Sequence, residues 1–254
     1  MMIKQIFPAR ACGIHGKTKT SKCMQCNVRL IAFCGILDDS DIHQLERISK
    51  DRIISRNKTV FMQGEQTSNF YNIKRGSLKI YKLSSDGRKQ IVGFLFPGDF
   101  VGMSPEENYS YNAETLEETT LCTFSRIVLD NFFVQHPHVE RKILNIVNHE
   151  LSVAQDQIFL LGKYTAKERL LQFFLNLSKQ RNKLGWVDNP LRLSMSRSDI
   201  ANYLGLTIET ISRTISELKT ERLIRMIGTQ NIFLQDKGAI HKLLISEKIY
   251  PRSN

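Results

Sequence analysis

The 254-residue sequence predicts an α+β protein with a β-rich part, one long helix and a smaller C-terminal domain built on short helices. Three observations support this fold class. Short runs of β-forming residues alternate with turn signals up to about Phe124. After Pro137 the hydrophobic period becomes that of a helix. Two short amphipathic helices follow near the C-terminus. The segments that we expect are 1–35, 36–135, 136–163 and 164–254.

The first 35 residues contain four of the five cysteines and little apolar periodicity, so we do not expect ordinary packing to order them. Cys23 and Cys26 form a C-x2-C pair, and Cys34 follows after seven residues. Three thiolates in so short a segment suit zinc or an iron–sulfur cluster, both of which take thiolates in sets of four. The remaining cysteines are Cys12 and Cys122. Cys122 lies in a β-forming run, where a small buried role is the more common one.

A helical pattern at 36–48 is followed by a series of short β-forming runs with turn signals between them. The turn at Asp86 and Gly87 is of the hairpin type. Regularly spaced short strands of this kind predict a β-roll or barrel. The runs are 59–62, 69–73, 77–83, 90–96 and 119–124.

The long helix carries apolar residues at alternating steps of three and four, which are the a and d positions of a heptad. A periodic helix of about 25 residues usually belongs to a coiled coil, so we expect it to pair with a second copy of the chain. The alternative is a long helix packed on its own domain. The predicted dimer residues are Leu144, Val147, Leu151, Ala154, Ile158 and Leu161.

Two short helices joined at Gly205 form the core of the C-terminal domain. Ser196 is placed to cap the first helix and Thr207 the second. This arrangement is typical of a helix-turn-helix, whose second helix enters the DNA major groove. An ordinary amphipathic helical hairpin is the alternative. A further hairpin at 223–234 would be the wing of a winged helix. The apolar face of the pair carries Leu204, Ile208, Ile211, Ile215 and Leu218.

The opposite face of the second helix carries the candidate DNA-reading residues. Arg213 can bind guanine O6 and N7 with both donors of its fork, and Glu209 can accept from a cytosine or adenine amino group. Ser212 can serve either kind of base edge. The expected DNA-binding set, in which Arg197 is a candidate backbone contact, is Arg197, Thr207, Glu209, Thr210, Ser212 and Arg213.

The charge of the chain suits a polyanionic partner. It has 36 basic and 25 acidic residues, and from Thr165 onward 15 basic residues face 8 acidic ones. No apolar run approaches the roughly 18 residues that span a bilayer, so we expect a cytoplasmic protein without a membrane partner. In a reducing compartment, cysteines favour metal or redox roles over disulfides.

An enzyme is not expected. No Rossmann or P-loop glycine pattern accompanies the C-x2-C pair, and no thioredoxin-like βαβ unit surrounds it.

The order of β-roll, long helix and winged helix resembles the cyclic-AMP receptor protein superfamily along nearly the whole chain. Within that superfamily it is most similar to the FNR (fumarate and nitrate reduction regulator) family of oxygen-sensing transcription factors. Segment 202–213 looks like the family's DNA-reading motif, with E-x-x-S-R at Glu209, Ser212 and Arg213. Segments 76–79 and 96–102 resemble its β-roll, which is of the cyclic-nucleotide-binding type.

This resemblance implies a 4Fe-4S cluster held by Cys23, Cys26, Cys34 and Cys122, because Cys122 falls where the family places its ligand from outside the N-terminal segment. Cys12 resembles the family's non-ligand cysteine. The seven residues between Cys26 and Cys34 are more than the family usually has, so the cage and the cluster lifetime are expected to differ.

The resemblance also implies a homodimer that binds an inverted repeat of TTGAT half-sites in double-stranded DNA. Oxygen would degrade the cluster, loosen the dimer and lower DNA binding. The hairpin at Asp86 and Gly87 corresponds to a surface that the family uses to contact RNA polymerase, with a plain β-turn as the alternative.

The alternative function is a regulator of the same fold that responds to zinc, thiol oxidation or a cyclic nucleotide. A cyclic-nucleotide site needs a Gly-Glu pair and an Arg-Ser pair for ribose and phosphate. Segment 103–114 contains three acidic residues and no Arg. A phosphate would find no partner there.

Overall fold

The computed structural model describes residues 21–104 and 106–246, without the side chains of Ile245 and Ser246. Cys12 lies outside these residues.

The β-roll predicted from the sequence is present. It follows a 3-10 turn (Phe33–Ile36) and helix α1 (Asp39–Ile48), whose N-terminus is capped by the Asp38 carboxylate accepting from Asp41 N. Its strands are β1 (Ser49–Ile54), β2 (Thr59–Phe61), β3 (Asn69–Arg75), β4 (Leu78–Leu83), β5 (Lys89–Leu95), β6 (Phe100–Val101), β7 (Asn112–Thr115) and β8 (Thr119–Ser125).

These strands form two antiparallel four-stranded sheets, in the orders β1-β8-β3-β6 and β2-β7-β4-β5. Alternating residues of the strands point inward, so the space between the sheets is filled by fully buried side chains such as Ile73, Leu78, Ala113 and Leu121. Strands β1, β6 and β7 were not predicted.

Two helices leave the β-roll. Helix α2 (Arg126–Gln135), which was not predicted, packs on β8 and on α3 (Pro137–Lys163). Pro137 is the first residue of α3, where its fixed φ suits a helix and its missing N–H costs nothing. Helix α3 is the long helix predicted from the heptad pattern.

The C-terminal domain is a winged helix-turn-helix with one additional helix at its end. Helix α4 begins with a capping box formed by Thr165 and Glu168. The three strands form one antiparallel sheet in the order β10-β11-β9, and α7 was not predicted. The elements are α4 (Ala166–Lys183), β9 (Leu191–Arg192), α5 (Arg197–Leu204), α6 (Ile208–Thr220), β10 (Ile224–Ile227), β11 (Asn231–Leu234) and α7 (Lys237–Ser246).

Arg169 joins the end of α3 to this domain. Its guanidinium donates to Leu161 O at 2.8 Å, to Tyr164 O at 2.9 Å and to Leu204 O at 3.0 Å. Helix C-termini expose carbonyl oxygens without partners inside the helix. One cation therefore satisfies the ends of α3 and α5 together.

Helix α5 also docks on the β-roll, next to β4 and β5. Lys79 Nζ lies 3.0 Å from Glu114 and 3.0 Å from Asp199, and Lys79 is buried. The amide of Asn202 donates to Lys89 O at 2.7 Å and accepts from Ile91 N. Burial opposes ionisation of Asp199, but the Ser196 and Lys79 hydrogen bonds outweigh it and hold the pKa of Asp199 below its ordinary 3.8.

The Lys79 contact leads to a stability prediction. Lys79→Met should lower the free energy of unfolding by about 3 kcal/mol near neutral pH, because two partly buried carboxylates lose their cation. Because the folded pKa of Asp199 is depressed, this contribution is present above pH 3.8 and is lost as the pH falls through the folded pKa. Urea denaturation at several pH values measures the difference.

Lys89→Met is the control, since Lys89 lies 3.4 Å from the same Glu114 but is only partly buried. It should cost about 1 kcal/mol or less. Equal losses for the two variants would show that the bridge to Asp199 contributes nothing.

Candidate functional site

The four cysteines in the described residues that were predicted as ligands line one cavity. Cys23, Cys26 and Cys34 come from the turns before α1, and Cys122 comes from the middle of β8. The cavity has a volume of about 220 Å³. Residues almost 90 positions apart in the sequence are thus brought around one space.

The segment before α1 closes on itself through short turns. Cys26 N donates to Cys23 O at 3.2 Å, and Leu37 N donates to Cys34 O at 3.2 Å. A Cβ at Gly35 would lie 2.6 Å from Arg29 O, so only glycine allows this close approach beside Cys34. The position of the Cys34 thiol therefore depends on the glycine that follows it.

Phe33 fixes this segment to the rest of the protein. Its ring is fully buried, and its centroid lies 5.0 Å from that of Phe100, 5.6 Å from Phe124 and 6.4 Å from Phe133. Edge-to-face pairs of this kind add to the free energy of burial. The neighbouring Cys34 is thereby placed against β8.

The cavity disfavours free thiolates. Burial, followed by the charges of neighbouring cysteines, raises the pKa of Cys34 to about 12. Burial also raises the pKa of Cys122 to about 12. Several thiolates can exist together in such a place only beside compensating positive charge, which a metal centre provides.

The thiols surround a space and do not converge on a point. In the described parts of the chain, no three His, Cys, Asp or Glu side chains are placed to share one metal ion. A tetrahedral zinc site with Zn–S bonds near 2.3 Å would need sulfurs about 3.8 Å apart. Four thiols around a cavity of this size suit a cluster bound by four thiolates better than a single ion.

The second candidate site is the helix pair α5 and α6. Gly205 has φ +64°, the left-handed conformation that ends α5 and allows the tight turn. Thr207 then caps α6 by accepting from Thr210 N at 3.1 Å. The caps predicted at Ser196 and Thr207 are both present.

The predicted reading face of α6 points outward. Glu209 and Arg213 are exposed, as is Arg197 at the start of α5, whereas Ser212 is half-buried and donates to Ile208 O at 2.9 Å. Hydrogen bonds from the first turn of the helix, including Thr207, hold the pKa of Glu209 below its usual range.

The prediction for the apolar face needs one correction. Ile211, Ile215, Leu218 and Leu204 are buried, but Ile208 is 46% exposed. It lies in the first turn of α6, which projects beyond the domain core. Thr214 is buried on that face and was not predicted.

The predicted seam on α3 lies on the surface of the single chain. The side chains of α3 that are buried within the single chain are Val139, Ile143 and Leu160. Apolar side chains in such a continuous exposed row mark an interaction surface. The predicted residues Leu144, Val147, Leu151, Ala154 and Ile158 are exposed, and Leu161 is half-buried.

The hairpin tip with Asp86 and Gly87 connects β4 to β5. Gly87 N donates to Ser84 O at 2.9 Å, and Gly87 has φ +80°. Asp86 lies 2.7 Å from Arg88 Nε in an exposed ion pair. The hairpin turn predicted at Asp86 and Gly87 is present, and its tip is exposed.

Aromatic side chains occupy the interior of the β-roll, and two of them come from segment 103–114. The rings of Phe61 and Tyr109 stack at 3.9 Å, and Tyr71 and Tyr111 lie 5.7 and 5.6 Å from Phe61. Tyr109 also exchanges hydrogen bonds with the backbone of Asn69. These rings fill the space with packed side chains.

Sequence reasoning missed the polar residues that border the cysteine cavity. Ser49, Asp51, Asn72 and Lys74 line it together with the apolar side chains of Phe33, Leu45 and Phe124. The only available signal was strand register, because Asp51 and Asn72 lie directly opposite Cys122 on its two neighbouring strands. Register follows from pairing and cannot be read from one strand.

Comparison with family models gives two matches. The Cyclic nucleotide-binding domain model matches residues 51–136, and the Crp-like helix-turn-helix domain model matches residues 168–243. No described helix has the combination of length and hydrophobicity that crossing a bilayer requires.

Relatives and solved structures cover most of the chain. The nitrogen fixation regulation protein FixK of Bradyrhizobium diazoefficiens is 37% identical over 81% of this chain and 86% of its own length. The fumarate and nitrate reduction regulatory protein of Yersinia pestis is 31% identical over 87% and 89%. The structure of FixK2 from Bradyrhizobium japonicum superposes with a TM-score of 0.72 at 32% identity, covering 77% of this chain and 97% of that one.

The raised thiol pKa values lead to a prediction for the metal-free protein. Iodoacetamide reacts with thiolates, so Cys34 and Cys122 should be alkylated far more slowly at pH 7.5 than a cysteine in a short peptide. Because both pKa values are about 12, their rates should keep rising beyond pH 10. Mass spectrometry of proteolytic peptides follows each site, and a rate plateau near pH 9 at either cysteine would contradict the burial argument.

Proposed function

Because the chain belongs to the Crp/FNR family of transcription regulators, we propose that it is an oxygen-responsive member controlled by a 4Fe-4S cluster. In this proposal it acts in the cytoplasm and binds, as a homodimer, an inverted repeat of TTGAT half-sites. The observation that carries the proposal is the single cavity lined by Cys23, Cys26, Cys34 and Cys122.

The proposed ligands come from two parts of the fold. Cys23, Cys26 and Cys34 would hold the cluster from the N-terminal turns, and Cys122 would hold it from the sheet. A bound cluster would supply oxygen-labile iron and sulfide. The protein contributes a preformed pocket in which four thiols are already near one another.

The same region provides a path from the cysteines to α3. The 3-10 turn that contains Cys34 packs against α3, and Phe33 shares a buried cluster with Val139 and Ile143 of that helix. Any change in how the turn is held therefore changes the packing at the start of α3. This contact supports control of the helix by the state of the cysteine cavity.

The exposed seam of α3 supports the homodimer. Leu144, Leu151 and Ile158 are each more than half exposed in the single chain. Burial of a large aliphatic side chain stabilises by about 1.5–3 kcal/mol, so pairing of two such seams gives a substantial favourable term. A dimer also presents two copies of α6, as an inverted repeat requires.

In the proposed complex, α6 enters the major groove, with Thr207, Glu209, Thr210, Ser212 and Arg213 toward the bases or nearby phosphates. Arg197 contacts the backbone from the start of α5. The hairpin tip at Asp86 and Gly87 is exposed and free to contact RNA polymerase when the dimer is on DNA.

A cluster assay tests the cofactor. After anaerobic reconstitution, Cys122→Ser should lose the iron and sulfide as fully as Cys23→Ser, because three thiolates leave a four-ligand centre incomplete. Cys12→Ser is the control and should retain both. Four irons per chain in Cys122→Ser would refute the ligand assignment. Stoichiometric zinc in the wild-type protein without sulfide, or empty thiols, would favour the alternative regulators.

A binding assay tests DNA reading. Arg213→Ala should weaken binding to the TTGAT palindrome by about 1–3 kcal/mol and relax the preference at the guanine, because a bidentate base contact is lost. Fluorescence anisotropy with matched and substituted duplexes measures both effects.

Lys219→Ala is a matched control, since Lys219 is an exposed cation in the last turn of the same helix. It should change affinity for all duplexes alike. If Arg213→Ala behaved in the same way, Arg213 would be a phosphate contact and not a base contact.

A further inference from the structure

A row of three polar side chains crosses the sheet at the cysteine cavity. In the register of β1, β8 and β3, Asp51, Cys122 and Asn72 lie directly opposite one another. Residues directly opposite on neighbouring antiparallel strands share a face of the sheet and have Cβ atoms about 5 Å apart. Asp51 and Asn72 therefore flank Cys122 on the face that borders the cavity, and both line it.

The two flanking residues are in different situations. Asp51 is paired with Lys74, whose Nζ lies 2.9 and 3.0 Å from its two carboxylate oxygens. Asn72 is 3% exposed, and its Oδ1 finds no hydrogen-bond partner in the described part of the chain. A buried polar atom without a partner lowers the stability of the folded state, so the protein tolerates a penalty at this point.

Asn112 shows how a buried asparagine is normally satisfied in the same β-roll. It is 4% exposed, its Oδ1 accepts from Gln63 N at 3.1 Å, and its Nδ2 donates to Tyr81 O at 3.3 Å. Asn72 and Asn112 thus have the same residue type and the same burial. Only Asn72 faces a cavity lined by sulfur atoms.

We propose that Asn72 is a positioning residue that donates a hydrogen bond from its amide to sulfur in the occupied cysteine cavity. This inference rests on the proposed function. The Asn72 side chain lines the cavity, and its Nδ2 is the donor end of the amide. Thiolates and sulfide are acceptors, and hydrogen bonds to them are among the factors that tune an iron–sulfur centre.

The polar wall of the cavity, on the β1, β8 and β3 side, consists of Ser49, Asp51, Asn72 and Lys74. The Ser49 hydroxyl donates to Glu46 O at 3.0 Å. Phe33, Leu45 and Phe124 also line the cavity, together with the charged residues Lys22 and Glu46. Among the described residues, Asn72 is the side chain whose buried amide oxygen finds no hydrogen-bond partner.

We expect Asn72→Leu to be harmless or stabilising in the metal-free protein and to weaken iron retention in the loaded protein. In the metal-free protein, leucine of nearly the same shape removes an unsatisfied polar atom, so the melting temperature should stay the same or rise. In the anaerobically loaded protein the donor is lost. Iron release to a chelator under argon should then be about tenfold faster, since such supporting contacts often change metal affinity by 10–100-fold.

Asn112→Leu is the matched control. It should lower the melting temperature of the metal-free and loaded proteins by the same amount and leave the rate of iron release per folded molecule unchanged. If Asn72→Leu behaves like Asn112→Leu, Asn72 is a structural residue and the proposal is overturned.

The pair Asn72→Ser and Asn72→Ala tests the donor if the leucine variant does not fold. The two side chains are close in size, but only serine can donate. Slower iron release from Asn72→Ser than from Asn72→Ala supports the proposal, and equal rates overturn it. A wild-type protein that takes up no iron overturns both this inference and the proposed function, whereas a loaded wild type with unaffected Asn72 variants overturns this inference alone.

Discussion

The burial of Phe33 is the contact on which the arrangement of the cysteines depends. The segment before α1 has few apolar residues of its own, and Phe33 inserts among Phe100, Phe124 and Phe133 of three other elements. A fully buried aromatic side chain with several edge-to-face neighbours contributes a few kcal/mol. That is a large share of the marginal stability of a domain, and it acts at one point beside Cys34.

Helix α3 links the Phe33 contact to the winged helix-turn-helix domain. Val139 and Ile143 at its start belong to the Phe33 cluster, and its last carbonyls are held with the end of α5 by Arg169. A helix is stiff along its axis, so a displacement at one end is carried to the other. The exposed seam lies between these two attachments. The exposed seam, the cysteine-bearing segment and the helix-turn-helix therefore share one structural element.

The sequence predicted the parts with strong local signals. Heptad spacing located α3, capping residues and Gly205 located α5 and α6, and Asp86-Gly87 located the β4–β5 turn. It did not locate β1, because Lys50, Asp51 and Arg52 interrupt any apolar alternation and the strand is held by pairing with β8. Helix α2 was missed because its N-cap residue, Ser125, makes no side-chain cap hydrogen bond. Helix α7 was missed although the Asp236 carboxylate caps it by accepting from Ala239 N at 2.8 Å.

In the candidate sites, too, local sequence signals identified some residues, and tertiary contacts determined the others. Thiol spacing identified Cys23, Cys26 and Cys34 as a group, but it left the role of Cys122 open until the family resemblance was considered. The polar wall with Ser49 and Asn72 depends on which strands pair and in what register, a property of the folded sheet alone. The buried Thr214 and the exposed Ile208 depend on where the domain core ends beneath α6.

The docking of Asn202 on β5 has a consequence for self-association. Strand β5 is an outer strand of its sheet, and such a strand offers unpaired N–H and C=O groups to any other extended chain. The Asn202 side chain hydrogen-bonds Ile91 N and Lys89 O, so these two backbone groups of β5 are not available to another strand. A domain movement that withdraws α5 uncovers a template for intermolecular strand pairing. Movement of the winged helix-turn-helix domain away from the β-roll would therefore also expose this edge to aggregation.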